Sequence, residues 1–211
     1  IAALDALGIA PPRTWADLAD PAYADLLVTP SASASSVGLA FLLASIAEFG
    51  DDEWSAFWTE LMDNGALVVD GWTEAYYTEF TRYGGTRPLV VSYATSPPAE
   101  VIFADPPLSD GAPAPTAIVE STCFRQIEYA GVLRGTKHPE EARQLIDYLV
   151  GTEFQTLLPE SIFVHPSNQR VDLPLSFERY AVVVEEPLTM DATKIEENRQ
   201  RWVEDWTRLV G

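Results

Sequence analysis

Two short apolar runs, residues 66–69 (ALVV) and 89–91 (LVV), each give way at once to a segment carrying an aromatic residue: DGWTEAYY at 70–77 and VVSYATSPPAE at 90–100. Runs of this length, bounded by turn signals, read as buried strands. In open α/β sheets the carboxyl ends of the strands form the mouth where ligands sit. The repeated pattern therefore constrains both the fold and the function, since it puts aromatic rings at the rim of a sheet, in a cleft suited to something flat.

The flanking sequence supplies the helices such a sheet needs. After Pro11 and Pro12, the segment TWADLADPAYADLLVTP reads as a short helix on Trp15, Leu18 and Ala19 followed by a buried strand ending at Val28. In SASASSVGLAFLLASIAEFG, small polar residues precede an apolar periodic run, the pattern of an N-capped helix ending at Gly50. Its start, with hydroxyls from Ser33, Ser35 or Ser36, can hold an anion or a polar ligand group. Residues 51–62 carry Trp54, Phe57, Trp58 and Leu61 at helical spacing, a stripe that reads as core. A helix over 73–83, a strand over 89–93 and a Pro-broken stretch over 97–115 follow. TAIVESTCF then reads as a strand, and HPEEARQLIDYLVGTEFQTLL as one or two amphipathic helices, with Pro139, Glu140 and Glu141 suited to a first turn. A final helix over 191–209 presents Ile195, Trp202, Trp206 and Leu209 on one face. Strands alternating with helices predict a parallel or mixed sheet covered on both faces.

Composition narrows the ligand. With 32 acidic against 13 basic residues the formal net charge is -19. That balance excludes nucleic acid and disfavours anionic membranes, both of which require a basic surface. Lys137 and Lys194 are the only lysines, and an acidic surface of this kind speaks to solubility before it speaks to ligands. Cys123 is the only cysteine, so there is no internal disulfide and no thiolate cluster. No apolar stretch approaches the roughly twenty residues of a membrane helix.

Catalytic constellations are missing as well. The chain has no GxSxG, HExxH, GxxxxGK[ST] or GxGxxG motif. His138 and His165 are the only histidines, and no local signature pairs either with Cys123 as nucleophile and base. No residue is assigned a catalytic role, and no cofactor is implied. Tyr76 and Tyr77 could in principle offer phenolates to a ferric ion. Neighbours in an α-helix point about 100° apart, however, so one of the two reads as core.

The order PRTWADLADPAY, SSVGLAFLL, FGDDEW, DGWTEAY, VVSYATSP, HPEEARQLIDYLVGTEFQ, FVHP and RWVEDWTRLV resembles the solute-binding proteins of bacterial ABC importers, and most closely their thiamine-binding members. The resemblance runs from about Trp15 to the C-terminus. GW-[ST]-EAY followed by SY-x-TSP is its most specific part. It implies an α/β fold of the type II periplasmic-binding-protein kind, with a mixed sheet flanked by helices and ligand held between two lobes. It also implies that the first lobe precedes the region present here, so that the chain is a fragment or a processed product. Residues 1–115 would then form the C-terminal ligand-binding lobe, 116–166 a return segment that packs on the N-terminal lobe, and 167–211 a C-terminal segment packing back. Without that lobe the return segment is expected to swap, dimerise or rearrange, since large apolar patches rarely stay exposed.

Carried over by motif, Trp72 and Tyr93 would line the ligand. Ser35 would contact its phosphate-side group, Thr95 and Ser96 would orient it, and Phe163 would stand where thiamine binders carry a tryptophan. Glu74, with Asp70 near it, is the acidic candidate. Ala99 occupies a position at which those binders have a tyrosine, which widens the expected ligand from thiamine to related cationic heteroaromatic compounds. A thiazolium and an aminopyrimidine are flat, and stacking on Trp or Tyr adds cation–π attraction of roughly 1–2 kcal/mol per contact. The implied partners are this small molecule and the importer's membrane subunits. The implied location is periplasmic or otherwise extracytoplasmic, with lipoprotein anchoring as one mode. Two alternatives stay open at this point: a binder of ferric ion or another small solute, and an enzyme of thiamine-pyrimidine synthesis, for which Cys123 would have to act as nucleophile.

Overall fold

Three of the apolar runs become neighbouring parallel strands in the computed structural model, which describes residues 1–109 and 111–211. They are β1 (Leu27–Pro30), β2 (Leu67–Val69) and β3 (Leu89–Val90), in the order β2-β1-β3. Val28 pairs with Leu67 on one side and with Val90 on the other. Every residue of β1 is buried, which is why its sequence is continuously apolar apart from Thr29 rather than alternating. β3 is shorter than the 89–93 run predicted, and residues 92–94 leave the ladder after the Val91 N–H donates to the Val28 carbonyl at 2.9 Å.

The helices are α1 (Ala2–Leu7), α2 (Trp15–Ala19), α3 (Ser36–Phe49), α4 (Trp54–Asp63), α5 (Trp72–Glu74), α6 (Ser96–Ile102), α7 (Pro139–Val150), α8 (Thr152–Gln155), α9 (Leu158–Ser161), α10 (Leu175–Tyr180) and α11 (Ala192–Val210). The described residues divide into two units. One comprises 1–94, 118–126 and 184–211, and the other 95–117 and 127–183.

The first unit holds the sheet and the main core. α2 starts on a capping box: Thr14 Oγ accepts from the Asp17 N–H, and the Asp17 carboxylate accepts from the N–H groups of Thr14 and Arg13. Those backbone donors hold the Asp17 carboxyl below its ordinary pKa. α3 can begin where it does because residue 38 is glycine. A Cβ there would collide with the backbone of Pro30 and Ser31, so the first turn of α3 lies directly against the carboxyl end of β1. The aromatic stripe of α4 is core as expected, with Trp54, Phe57, Trp58 and Leu61 all buried. Trp58 donates its indole N–H to Ser45 Oγ at 2.9 Å, and Ser45 in turn donates to the Leu42 carbonyl, so no polar group in this chain of bonds is stranded.

α11 closes the core. Asp191 caps it by accepting from the N–H groups of Thr193 and Lys194. Trp202 and Trp206 are fully buried, and the Trp206 ring meets Trp58 edge to face at 5.4 Å. Ile195 and Leu209 pack against the same core, as the predicted face requires. Each such aromatic removes roughly 150–250 Å² from water, a gross gain of about 4–6 kcal/mol before the ordering entropy is subtracted.

The run TAIVESTCF is not a strand. It forms a single 3₁₀ turn at Glu120–Thr122 and an isolated bridge between Phe124 and Leu188. β-branched residues favour extended backbone, but a strand needs a neighbour over several residues, and here Leu188 supplies one. Ser121 is instead used as an anchor, its carbonyl accepting the Trp15 indole N–H at 3.1 Å and its hydroxyl donating to the Arg13 carbonyl.

The second unit is helical among the described residues. The Pro-broken stretch contains α6, where Pro97 and Pro98 occupy the first turn, a position that costs no hydrogen bond. α6 packs against α10, whose Phe177 is buried and receives the edge of His165 at 5.1 Å. The buried Gln155 amide links α7, α8 and the loop beyond, donating to the Leu149 carbonyl and accepting from the Ser167 N–H. α7 itself has no buried residue, and Leu145, Tyr148 and Val150 on it are exposed, as are Tyr129, Leu133, Leu157 and Ile162.

Candidate functional site

Because the described strands are all parallel, their carboxyl ends share one edge of the sheet. Three segments leave from it. β1 runs into Ser31 and the start of α3, β2 into Asp70, Gly71 and Trp72, and β3 into Ser92 and Tyr93. The Ser31 N–H donates to the Val69 carbonyl at 2.7 Å, tying the first two exits together. Trp72 donates its indole N–H to Ser92 Oγ at 2.9 Å, tying the second to the third.

The predicted helix over 73–83 is replaced by a more irregular path. α5 is a single turn that widens into a π turn at Ala75–Glu79, closed by the Phe80 N–H on the Ala75 carbonyl. A 3₁₀ turn follows at Thr81–Tyr83. In an α-helix a side chain five residues on would point about 140° away from Trp72. The widened turn brings it back. Tyr76 stacks on the indole at 4.9 Å with an interplanar angle of 28°, and Tyr77 meets the same indole edge-on at 5.6 Å. The expectation that adjacent tyrosines diverge holds for burial, since Tyr76 is buried and Tyr77 is half exposed, but both rings reach Trp72. π turns of this kind recur at functional sites.

Tyr83 joins the cluster from the next turn, 4.8 Å from Tyr77 and 5.7 Å from Tyr76. The loop that carries it is tight because residue 85 is glycine, and a Cβ there would strike the Glu79 and Thr78 carbonyls. Arg87 pins the end of this loop by donating to the Gly65 carbonyl at 2.7 Å.

Of the residues named from the sequence, Trp72 and Tyr93 are brought together, with ring centroids 6.1 Å apart. Trp72 is half-buried and Tyr93 exposed. Ser35 is half-buried at the N-cap of α3, and its hydroxyl makes no capping bond. The hydroxyls of Ser31 and Ser33, 2.8 Å apart, satisfy each other. Glu74 is exposed on the turn after Trp72. Thr95 is buried and Ser96 half-buried at the start of α6, within the second unit. Phe163 also belongs to that unit, half-buried, in a left-handed backbone conformation (φ 54°) uncommon for a bulky residue, with the Phe103 ring edge-on at 5.8 Å. Ser92 and Tyr83 are the members of the cluster that the sequence motifs do not single out, and Tyr77 is named there only as a phenolate candidate beside Tyr76.

Cys123 is half-buried, and burial pushes its thiol up to about 11, with Glu120 adding to the shift. A thiol in that state is a poor nucleophile at neutral pH. Among the described residues, no three His, Cys, Asp or Glu side chains converge as a metal site, and no helix is long and apolar enough to cross a membrane.

Comparison with known proteins gives a consistent picture. The thiamine-binding periplasmic protein of Brucella abortus is 30% identical over 198 residues, covering 93% of this chain and 56% of that protein. The protein of the same description from Escherichia coli is 28% identical over 208 residues, covering 95% of this chain and 58% of its own length. Among solved structures, a periplasmic thiamin binding protein superposes with a TM-score of 0.77 at 26% identity, over 96% of this chain and 60% of that one. The chain thus spans a little over half the length of the curated relatives it matches. These relatives are binding proteins and not enzymes. Residues 3–183 match the family described as bacterial extracellular solute-binding protein, and with most of its length inside that match, this chain belongs to the bacterial extracellular solute-binding proteins.

Proposed function

We propose that this chain carries the ligand site of an extracytoplasmic solute-binding component of an ABC importer, and that the ligand is thiamine or a related cationic heteroaromatic compound. The observation that carries this reading is the fixed indole of Trp72 at the carboxyl edge of a parallel sheet. Its N–H is committed to Ser92 and its plane is set by Tyr76, so the ring is preorganised to stack on a flat ligand. Tyr93 offers a second ring beside it, and the Ser35 hydroxyl and Glu74 supply a polar and an anionic group from the same unit. Thr95, Ser96 and Phe163 are proposed as further ligand contacts on the family pattern. The relatives named above, described as thiamine-binding, support the choice of ligand.

The exposed apolar side chains of 127–166 fit the further proposal that residues 116–166 pack on another lobe, with 1–115 forming the ligand-binding lobe and 167–211 returning to it. Relatives are longer than this chain by a corresponding margin. A preparation lacking such a lobe is expected to dimerise or exchange segments.

The test is mass spectrometry of the ligand released on denaturing the full-length polypeptide, with a thermal-shift panel of thiamine and its phosphates. Release of thiamine or a thiamine phosphate, with stabilisation by the same compound, is the expected result. A protein that carries an unrelated solute and is not stabilised by any member of the panel would overturn the choice of ligand.

A further inference from the structure

The three parallel strands are joined at their entries as well as at their exits. Asp25, Gly65 and Arg87 each stand two residues ahead of a strand, which starts at Leu27, Leu67 and Leu89 respectively, and the three meet at the amino edge of the sheet. Arg87 donates from Nη1 to the Gly65 carbonyl at 2.7 Å, and the same nitrogen lies 4.0 Å from Asp25 Oδ1. Asp25 and Gly65 both hold left-handed backbone, at φ 61° and 79°, and a Cβ on Gly65 would strike the Asp25 carboxylate. Such a conformation is uncommon outside glycine and persists where the surroundings hold it.

Arg87 also holds the far end of the segment that carries Trp72. Its N–H donates to the Glu79 carbonyl and its carbonyl accepts from the Thr81 N–H, both at 2.9 Å, at the close of the π turn. The chain that starts at Gly65, runs through β2 and returns by way of Trp72 and Tyr76 is thus closed on itself by one side chain 22 residues on. Ser92 follows the strand that Arg87 leads into. Trp72 and its partner Ser92 therefore hang from two arms of the same arginine, one through Gly65 and β2, the other through β3. A shift of either arm along the sheet moves the indole relative to the Ser92 hydroxyl, 2.9 Å away. Stability is a poor reason for such a cation. The Arg87 side chain is only 17% exposed, while that of Asp25 is 79% exposed and stands at the limit of an ion pair. A desolvated charge with so weak a partner gains little from pairing, and fixing register is the best-attested use of buried ionic groups.

We propose that Arg87 is a positioning residue of the ligand site: from the amino edge of the sheet it sets the register at which β2 and β3 deliver Trp72 and Ser92 to the carboxyl edge, without touching the ligand. This rests on the reading of Trp72 as the stacking residue. It adds to that reading a determinant of affinity on the opposite edge of the sheet, acting through the bond between Trp72 and Ser92.

The experiment compares Arg87→Met, which keeps the stem and removes the donor, with Arg87→Lys, which keeps a cation and a donor for the Gly65 carbonyl, in the full-length polypeptide. Three quantities are read: thiamine affinity by calorimetry, the urea midpoint, and the near-ultraviolet circular dichroism of Trp72, taken as the difference from Trp72→Phe in the same background. Arg87→Met is expected to weaken thiamine about 2- to 10-fold, the worth of one hydrogen bond, and to reduce the Trp72 band before any ligand is added. Arg87→Lys should recover most of both. In a Ser92→Ala background the loss from Arg87→Met should shrink below about twofold, since both substitutions act on the same bond. Arg87→Gln, a neutral donor on a shorter stem, serves if the methionine variant fails to fold. A lower urea midpoint with wild-type affinity and an unchanged Trp72 band would make Arg87 a residue of the scaffold alone and overturn the inference, as would fully additive losses in the double variant. A wild-type protein that does not bind thiamine would remove the ligand reading, and the Trp72 band would then decide the positioning role by itself.

Discussion

The indole N–H of Trp72 and the hydroxyl of Ser92, 20 residues apart in sequence, meet at 2.9 Å across the exits of two strands that both flank β1. The bond fixes the plane of the ring on which ligand is proposed to stack. Ser92→Ala is expected to leave the fold intact and to weaken ligand binding about 2- to 10-fold, the worth of one hydrogen bond. Calorimetry beside a urea unfolding curve separates the two effects, and a large loss of stability without a change in affinity would place Ser92 in the scaffold alone.

A second anchor ties the C-terminal helix to the core. Asp51 accepts from the indole N–H of fully buried Trp202 and from Arg201, with Arg201 Nη2 2.8 Å from Oδ2. The Trp202 bond, then Arg201, hold the Asp51 carboxyl below its ordinary value near 3.8. A depressed folded-state pKa contributes stability that is present above the unfolded value and lost as pH falls through the folded one. Asp51→Ala is therefore expected to cost about 1–3 kcal/mol at neutral pH, because it strands a buried N–H. The gap between wild type and variant should narrow as pH drops below about 3.8, where the charge-dependent part is lost, and level off at the part left by the stranded N–H. Urea unfolding at pH 7, 5 and 3 measures it.

The Cys123 thiol, raised to about 11 by burial, is expected to resist modification in the native state. At pH 8 its thiolate fraction is about 100-fold lower than that of a thiol at the ordinary value of 9.0, and even with the greater nucleophilicity of a higher-pKa thiolate, labelling by a disulfide reagent should slow about tenfold until the chain is unfolded. Cys123→Ser should retain full ligand binding. Rapid native-state labelling, or loss of binding in the serine variant, would reopen the enzymatic alternative.

Gly38 permits the first turn of α3 to lie on the backbone of Pro30 and Ser31. Gly38→Ala has no flexible neighbour to displace, and is expected to destabilise by about 1–3 kcal/mol as an overpacked contact does. It should also shift Ser35 at the head of the helix. A lower urea midpoint with an unchanged slope is the expected reading.

The elements legible in the sequence were those whose signals are local. The α4 stripe of Trp54, Phe57, Trp58 and Leu61, and the Trp202 and Trp206 face of α11, repeat at helical spacing and are buried as that spacing requires. The apolar runs at 66–69 and 89–91 became β2 and β3 as expected, but as half-buried strands on either side of β1, which alone is buried along its whole length. What failed depended on partners far away in sequence. TAIVESTCF has strand composition, yet it finds only the single bridge to Leu188, and α6, α9 and α10 are too short for periodicity to register. At the site, Trp72 and Tyr93 could be named from their motifs. The ring contacts of Tyr77 and Tyr83 with that cluster could not be read there, because their convergence depends on a π turn and on a close approach at Gly85 that leave no periodic trace.

The measurement that bears most directly on the proposed function is a calorimetric titration of thiamine into the full-length polypeptide, wild type against Trp72→Ala. One site per chain in the wild type, with affinity reduced at least about 30-fold in the variant, is the expected result, since removing the indole takes away both stacking area and the cation–π contact. An unchanged affinity in a folded Trp72→Ala protein would contradict the assignment of Trp72 as the stacking residue, and with it the proposed site.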